Sequence, residues 1–321
     1  MIHILGWYDH DNIGDEAYKI AFPKLFPNHE FTFGEKIQGK PDTIILGGGD
    51  VLNMKFLDIL EQHPQAKKHA LSINLRPEDI GDKLDPFGHI IARNFINLRM
   101  SNYKIQCFPD FTFVLQPNRE NGKQLLKTLF DKYKAELYEN VVVLTLNSFL
   151  CVREKILARD YVAFDKICYD LSKLMDTTNA SFVLVPFGNG FPQNDRISNA
   201  FVYANAKFWK KNLLLFEKIS IQDTLDIFAA ADAAISSRLH SAIFSCIGGT
   251  PFVDITHHSK NKMFLEFIGK SEWSLDFWHM DYYKAQDLLK DFLGNKEFFK
   301  EEVSKIDMSA KKLLSQLDIK F

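Results

Sequence analysis

The chain has 321 residues, of which 46% are apolar and 25% charged, with 39 basic and 41 acidic side chains. This apolar content excludes an intrinsically disordered chain, and the length predicts two domains rather than one core. The near-neutral charge provides no basic surface for a nucleic-acid backbone, and no uncharged apolar run reaches the roughly 18 residues that would predict a membrane-spanning helix.

Short apolar runs alternate with amphipathic segments along the whole chain, which is typical of parallel strands joined by crossover helices. The first half predicts, in chain order, a strand at 1–6, a loop at 7–14, a helix ending at residue 24, a strand at 43–46, a helix at 53–62, and strands at 69–74, 95–98 and 105–108. A polar segment at 116–123 is the predicted linker. The second half predicts a helix at 124–137, a strand at 141–146, a helix at 160–176, strands at 182–185 and 213–216, a helix at 221–230, a strand at 233–235, a helix at 239–246, a strand at 251–255 and a helical tail at 284–319.

Two α/β sheets with a cleft between them are the simplest architecture for this order of elements. We predict an N-terminal Rossmann-like domain at 1–118, a C-terminal Rossmann-like domain at 119–283 and C-terminal helices at 284–321. The opening strand lacks the basic and apolar regions of a signal peptide. The four cysteines are scattered and contain no C-x-x-C pair, so we expect reduced thiols and a cytoplasmic protein.

The sequence Ser236-Ser237-Arg238-Leu239-His240, between an apolar strand and a helix, is the sharpest candidate site. The first turn of a helix offers unpaired N–H groups and a positive partial charge to an anion. Arg238 adds a guanidinium that can grip phosphate or carboxylate with two hydrogen bonds, and His240 can donate a proton near neutral pH. In the alternative interpretation the serines cap the helix and Arg238 is an ordinary surface residue.

Two further loops follow predicted strands in the first half, where open α/β sheets bind ligands. In the segment from Gly6 to Glu16, Gly14 permits a close backbone approach, and Asp15 either caps the helix or contacts a ligand. The Asp9-His10-Asp11 string resembles the D-x-D metal motif of some glycosyltransferases but is also common in ordinary loops. In Gly47-Gly48-Gly49-Asp50 the glycines either expose backbone N–H groups to a ligand or form a tight turn packed on the neighbouring loop.

Downstream of the Arg238 loop, a turn leads into another strand, which is followed by His257, His258 and Lys260. These residues are expected at the same sheet edge as the Arg238 loop. Adjacent residues on an extended strand point to opposite faces, so the pattern does not favour a metal held by both histidines, and we predict no metal site.

Together these motifs resemble the polysaccharide pyruvyl transferase family over roughly residues 1–270. The matching segments occur in the family's order and are Asn12-Ile13-Gly14-Asp15-Glu16, Gly47-Gly48-Gly49, Arg99 with Ser101, Pro109-Asp110, Ser237-Arg238-Leu239-His240, Gly249-Thr250-Pro251 and Lys260. Two positions differ from the family: Met100 stands where Asp usually follows the arginine, and Asn147 stands near a place where the family often has Arg.

The resemblance implies two Rossmann-like domains of the GT-B kind, with the site in the interdomain cleft, the first domain on the acceptor side and the second on the donor side. It implies transfer of the pyruvyl group of phosphoenolpyruvate to two hydroxyls of a sugar in a bacterial cell-surface glycan or its precursor, forming a cyclic ketal and phosphate, with no cofactor. The expected catalytic residues are Arg238 and His240. The expected substrate-binding residues are Ser236, Ser237, Leu239, Arg99, Asn12, Gly14, Asp15, Gly48, Gly49, Asp50 and Lys260.

Two other functions are compatible with the sequence. A GT-B glycosyltransferase could place the diphosphate of a nucleotide sugar against Arg238, and a sugar- or nucleotide-binding protein could retain the same loops without activity. A lipid-linked acceptor would bring the protein to the inner face of the membrane. The lysines of the tail at 284–321 are interleaved with acidic residues, so we expect a packed or solvated helix there rather than a membrane anchor.

Overall fold

The structure, a computed structural model, describes residues 1–76, 79, 81–93, 105–148, 158–190 and 193–321. The described chain forms two compact units, one containing Met1–Leu115 with Met308–Phe321 and the other containing Gln116–Asp307. The sequence predicts a boundary after residue 118 and separate helices from 284; in the structure the division follows Leu115, and the helical tail is divided between the units. The expected cleft site stays a prediction.

The first unit has one six-stranded sheet within the described residues. Its strands are β1 (Ile2–Leu5), β2 (Phe31–Gly34), β3 (Thr43–Gly49), β4 (Lys67–Ile73), β5 (His89–Ala92) and β6 (Ile105–Cys107). They lie in the order β2-β1-β3-β4-β5-β6, and every neighbouring pair is parallel. The order reverses between β1 and β3, and open parallel sheets bind ligands beside such a reversal, at the carboxyl ends of the strands.

Three α-helices of the described chain lie wholly within the first unit: α1 (Ile13–Glu16), α2 (Tyr18–Leu25) and α3 (Met54–Glu61). Asparagines cap α1 and α3. Asn12 Oδ1 accepts the N–H of Gly14 at 3.1 Å, and Asn53 Oδ1 accepts the N–H of Phe56 at 3.4 Å, which satisfies donors that the helix leaves unpaired. Strand β3 is buried along its whole length, which explains its continuous apolar run.

The second unit has the other six-stranded parallel sheet of the described chain, in the order β11-β8-β7-β12-β13-β14. The order reverses between β7 and β12, as in dinucleotide-binding Rossmann sheets. The elements are α4 (Arg119–Tyr133), β7 (Val141–Thr145), α5 (Ala158–Thr177), β8 (Ser181–Leu184), a small antiparallel pair β9 (Asn189–Gly190) and β10 (Gln193–Asn194), α6 (Asp195–Asn205), β11 (Asn212–Leu214), α7 (Ile221–Ala230), β12 (Ala233–Ser236), α8 (Leu239–Gly248), β13 (Phe252–Thr256), α9 (Ser259–Phe267), β14 (Ser274–Asp276), α10 (Tyr282–Gly294) and α11 (Lys296–Leu314). The part of α11 from Met308 onward belongs to the first unit.

Most of the segment predicted as a linker is helical. Helix α4 begins at Arg119, capped by Asn118, and packs on α7. A Cβ on Gly122 would lie 1.9 Å from the carbonyl oxygen of Asp226, so the two backbones are in direct contact. The polar residues that suggested a linker lie on the exposed side of this helix, and the glycine is required by the close approach.

The helical tail predicted from the sequence forms α10 and α11. Leu289 and Phe292 are buried, and the Phe292 ring packs edge-on against Trp273 and Phe299. In the part of the chain that the structure describes, none of the helices combines the length and apolar character needed to cross a membrane.

Candidate functional site

The turn between β12 and α8 is held by its own serines. The Ser236 and Ser241 hydroxyls both donate to the carbonyl of Arg238 at 2.8 Å. Ser237 Oγ donates to the carbonyl of Thr145 at 3.2 Å and accepts the N–H of Asn147 at 2.6 Å. Ser236 and Ser237 are therefore buried residues that fix the turn and join it to the end of β7.

The Arg238 guanidinium forms a bidentate ion pair with Asp195. Its Nε lies 3.0 Å from Asp195 Oδ2, and its Nη2 lies 2.6 Å from Asp195 Oδ1. The Arg238 side chain is 12% exposed and the Asp195 side chain is fully buried. Paired planar hydrogen bonds of this kind fix both the position and the plane of a guanidinium. Arg238 is thus an oriented cation, not a free surface arginine.

Leu239 and His240 are the first two residues of α8. Both are largely buried, at 7% and 9% exposed. The predicted helix start at Leu239 is therefore confirmed, and it brings His240 into the first turn, where backbone N–H groups have no helical partner. Arg238 immediately precedes this turn, beside the reversal of strand order between β7 and β12.

A neutral histidine lies at the same sheet edge. The amide Nδ2 of Asn147, just after β7, lies 3.1 Å from His257 Nε2; an amide N–H can only donate, so the imidazole nitrogen accepts. Burial lowers the pKa of His257 to about 2, with further lowering by His258, Lys260 and Arg238. His257 therefore contributes hydrogen bonding rather than charge at neutral pH.

The two adjacent histidines do not point apart as the sequence suggested. Their ring centroids are 4.0 Å apart, because β13 ends at Thr256 and α9 begins at Ser259, so the pair lies in a turn rather than in a strand. Lys260 is the second residue of α9 and is half-buried. Among the described residues, no group of three or more His, Cys, Asp or Glu side chains could hold a metal ion.

In the first unit, the loop after β1 is braced by ion pairs. Lys19 Nζ lies 2.6 Å from Asp9 Oδ1 and 2.7 Å from Glu16 Oε2, and His10 Nε2 lies 2.8 Å from Glu35 Oε1. Asp9 therefore pairs with a lysine. Asp15 lies in α1, with its Oδ1 3.1 Å from the point where a Cβ of Gly49 would be.

The glycines that were expected to follow β3 are part of the strand. Gly47 and Gly49 pair with residues of β4, and Gly48 has a φ of +75°. A Cβ on Gly48 would lie 2.5 Å from the Tyr18 ring. Close packing against α2 therefore requires glycine here. The prediction that Gly48 and Gly49 contact a ligand stays a prediction.

Asp50 follows the glycines and lies among polar groups. Its Oδ1 accepts from Asn74 Nδ2 and from Arg76 Nη2, each at 3.1 Å. Both donors follow β4, so a carboxylate, an amide and a guanidinium come together at the carboxyl edge of the first sheet. Such groups can contact sugar hydroxyls.

A buried ion pair that the sequence did not reveal lies behind this edge. Arg93 Nη1 is 2.9 Å from Asp110 Oδ2 and 2.9 Å from the Tyr18 hydroxyl, which donates to the same carboxylate. The Arg93 and Asp110 side chains are 3% and 2% exposed. Asp110 belongs to one of the motifs that match the family, whereas Arg93 belongs to none of them. Arg99, which the resemblance implies is a substrate-binding residue, lies outside the described residues.

Comparison with known families decides what these motifs belong to. The model of the polysaccharide pyruvyl transferase family matches residues 7–259. The chain belongs to the polysaccharide pyruvyl transferase family. The matched range contains the Asn12–Glu16 and Ser237–His240 motifs and the strands β7 and β12 of the second reversal, and it begins just after β1. No curated protein matches the sequence.

Solved structures with the same architecture show the fold of this pyruvyl transferase family member. S. aureus MnaA with UDP is 9% identical with a TM-score of 0.60, covering 95% of this chain and 90% of that chain. The UDP-GlcNAc 2-epimerase of Methanocaldococcus jannaschii, in complex with UDP-GlcNAc and UDP, is 10% identical with a TM-score of 0.55, covering 94% and 82%. That of Neisseria meningitidis, bound to UDP-GlcNAc, is 8% identical with a TM-score of 0.53, covering 98% and 99%. The predicted GT-B-like fold is confirmed.

Proposed function

We propose that this protein transfers the pyruvyl group of phosphoenolpyruvate to two hydroxyls of a sugar, forming a cyclic ketal and phosphate. One observation carries the proposal: a chain that belongs to the family holds an oriented guanidinium, Arg238, and an imidazole, His240, at the start of one helix. That helix start lies beside the reversal of strand order in the second sheet, where such sheets bind ligands.

The donor is recognised by charge. Phosphoenolpyruvate carries a phosphate and a carboxylate, so its site needs fixed cations and backbone N–H groups. Arg238 and the first turn of α8 supply both, and Lys260 adds a second positive charge at the same sheet edge. Ser236 and Ser237 contribute by holding the turn in shape, and Leu239 is proposed to contribute as the buried first residue of α8.

The reaction needs one proton delivery and two additions at the same carbon. His240 delivers a proton to C3 of the donor, which becomes a methyl group, while a sugar hydroxyl forms a bond to C2 and gives up a proton that restores the protonated imidazole. The second hydroxyl then forms its bond to C2 and its proton passes to the departing phosphate, as the bond between C2 and the phosphate oxygen breaks. Arg238 stabilises the phosphate as it leaves with that electron pair. The sum is one ketal and one inorganic phosphate, with no cofactor consumed.

The acceptor is proposed to bind the first unit. Asn12, Asp15 and Asp50 lie at the carboxyl edge of its sheet beside the reversal between β1 and β3. The backbone of Gly14, Gly48 and Gly49 is proposed to contact the acceptor at the same edge. The acceptor is a sugar of a bacterial cell-surface glycan or its precursor, encountered in the cytoplasm. A lipid-linked precursor would add peripheral contact with the inner membrane face.

Donor choice tests the proposal. The melting temperature of the purified protein is measured with phosphoenolpyruvate and with UDP-sugars. In a second assay, phosphate release and ketal formation are followed by NMR after candidate sugar acceptors are added. Stabilisation by phosphoenolpyruvate but not by UDP-sugars is expected. The reverse result would identify a nucleotide-sugar enzyme of the same fold and contradict the proposal.

A matched pair of histidine variants tests the proton donor. His240→Ala should lower turnover by roughly 10²–10⁴-fold, the usual effect of losing acid–base assistance. His279→Ala is the control, because that histidine is 88% exposed and pairs only weakly with Asp276 at 3.2 Å, so its loss should leave turnover unchanged. Undiminished phosphate release by His240→Ala would exclude His240 as the acid.

A further inference from the structure

The carboxylate of Asp195 is saturated with hydrogen bonds. Besides the two from Arg238, its Oδ1 accepts the N–H of Ser148 at 2.9 Å, and its Oδ2 accepts those of Phe187 and Gly188 at 3.2 and 2.8 Å. Five N–H groups thus meet one buried carboxylate. A carboxylate that accepts several N–H bonds is held firmly in place.

These contacts draw together three loops at one edge of the second sheet. Ser148 follows β7, Phe187 and Gly188 follow β8, and Arg238 follows β12. Asp195 itself is the first residue of α6, and its backbone N–H donates to the carbonyl of Gly188 at 2.8 Å. The carboxylate is therefore a fixed point to which the guanidinium is attached, beside the reversal between β7 and β12.

The plane of the Arg238 guanidinium follows from this attachment. Asp195 takes hydrogen bonds from Nε and Nη2, so the fork cannot rotate without losing both. A long side chain would otherwise sample many rotamers, and ordering it on ligand binding would cost free energy. Holding the fork in advance removes that cost and sets the direction from which an anion is gripped.

Resting on the proposed function, we propose that Asp195 is the positioning residue of the donor site, which fixes the Arg238 guanidinium for the phosphate or carboxylate of phosphoenolpyruvate. Asp195 touches no substrate in this role and acts only through Arg238. The alternative is that Asp195 merely joins loops, so that its loss would affect folding but not the donor affinity of folded molecules.

The test is a double-mutant cycle read out as affinity. Dissociation constants for phosphoenolpyruvate and for inorganic phosphate are measured by calorimetry on the full chain for the wild type, Asp195→Asn, Arg238→Lys and the double variant. Each single substitution is expected to weaken phosphoenolpyruvate binding about 10-fold or more. Asp195→Asn leaves the Arg238 guanidinium misplaced, and Arg238→Lys replaces it by a point charge, so both variants lose the bidentate hydrogen bonds to the donor. The double variant should bind within about 3-fold of Arg238→Lys, since residues that act through one group are not additive.

Asp226→Asn is the matched control. Asp226 is also a buried carboxylate of the second unit, and its Oδ1 accepts the N–H of Asn118 at 2.6 Å, but it belongs to the contact between α4 and α7. This variant should lower the melting temperature and leave donor affinity unchanged. If Asp195→Asn fails to fold, Asp195→Glu replaces that variant in the double-mutant cycle, because it keeps the negative charge and displaces the carboxylate.

The outcomes separate the two proposals. Wild-type protein that binds neither phosphoenolpyruvate nor phosphate contradicts the proposed function, before any variant is compared. If wild type binds and the Asp195 variant only melts earlier, as Asp226→Asn does, Asp195 is structural and the inference is wrong. If the effects of Asp195→Asn and Arg238→Lys multiply in the double variant, Asp195 acts by another route, which also contradicts the inference.

Discussion

Replacing Gly48 by alanine tests whether the glycines of β3 serve packing. Gly48 has a φ of +75°, and an added Cβ would lie 2.5 Å from the Tyr18 ring. Gly39 offers a matched position in the same unit, because its φ is +76° and nothing lies within 4 Å of an added Cβ. The two substitutions therefore share the backbone strain and differ in the contact with Tyr18.

The expected magnitudes follow from these two terms. An alanine in the left-handed region costs about 1–2 kcal/mol, and this is the whole expected effect of Gly39→Ala. At Gly48 the ring cannot move aside cheaply, because Tyr18 is fully buried and its hydroxyl is bonded to Asp110 and Arg93. Overpacking adds about 1–3 kcal/mol, so Gly48→Ala should lower the free energy of unfolding by about 2–5 kcal/mol.

Urea unfolding followed by far-UV circular dichroism measures both variants against the wild type. Gly48→Ala should lose about 2 kcal/mol more than Gly39→Ala, the middle of the overpacking range. If the two variants lose the same free energy, within about 0.5 kcal/mol, then the space beside Gly48 is not filled by the ring. Packing would then not explain the glycine, and the expectation of a ligand at this position would be favoured.

Three other outcomes are expected. Asp110→Ala should lower the free energy of unfolding by about 3–5 kcal/mol, because it leaves the Arg93 charge buried without its carboxylate; a loss under 1 kcal/mol in urea unfolding would contradict this. Burial raises the pKa of Asp254 to about 6, so between about pH 4 and 6 the folded state keeps a proton that the unfolded state has released. The free energy of unfolding should therefore fall by on the order of 3 kcal/mol as the pH rises through that window. An Asp254→Asn variant whose stability depends on pH as that of the wild type does would refute this. Iodoacetamide should modify the exposed Cys107 in the folded protein. It should modify the buried Cys168 only after unfolding, because burial raises the pKa of that thiol to about 12. Equal labelling rates of the two cysteines, measured by mass spectrometry, would exclude this.

The parallel sheets were predictable because their buried strands are continuous apolar runs. The run at 141–146 became β7 at Val141–Thr145, and the run at 233–235 became β12 at Ala233–Ser236. Strand β2 was missed because it has only four residues and is mostly half-exposed, so it shows no such run. The glycines at the end of β3 were assigned to a loop because the sequence alone does not show that Tyr18 packs against the strand at Gly48.

In the candidate site, too, features set by neighbouring residues were predictable, and contacts between residues far apart in the sequence were not. The helix start at Leu239 was predictable, since an apolar strand, two serines and a helix lie within a few residues. Asp195 was not, because its pairing with Arg238 spans 43 positions and an acid in the first turn of a helix is expected for capping alone. Arg93 was missed for a related reason: its partner Asp110 lies on another segment, and one sequence carries no record of such pairs.

The close approach of Gly122 to Asp226 determines where the second unit can be separated from the rest of the chain. A fragment beginning at residue 124, where the sequence predicts the first helix after the linker, would lack Asn118 and Asn121. The N–H groups of both asparagines reach the Asp226 carboxylate at 2.6 Å. It would leave a buried carboxylate with fewer donors and uncover the part of α7 that Gly122 contacts. Expression of this unit alone should therefore start no later than Gln116.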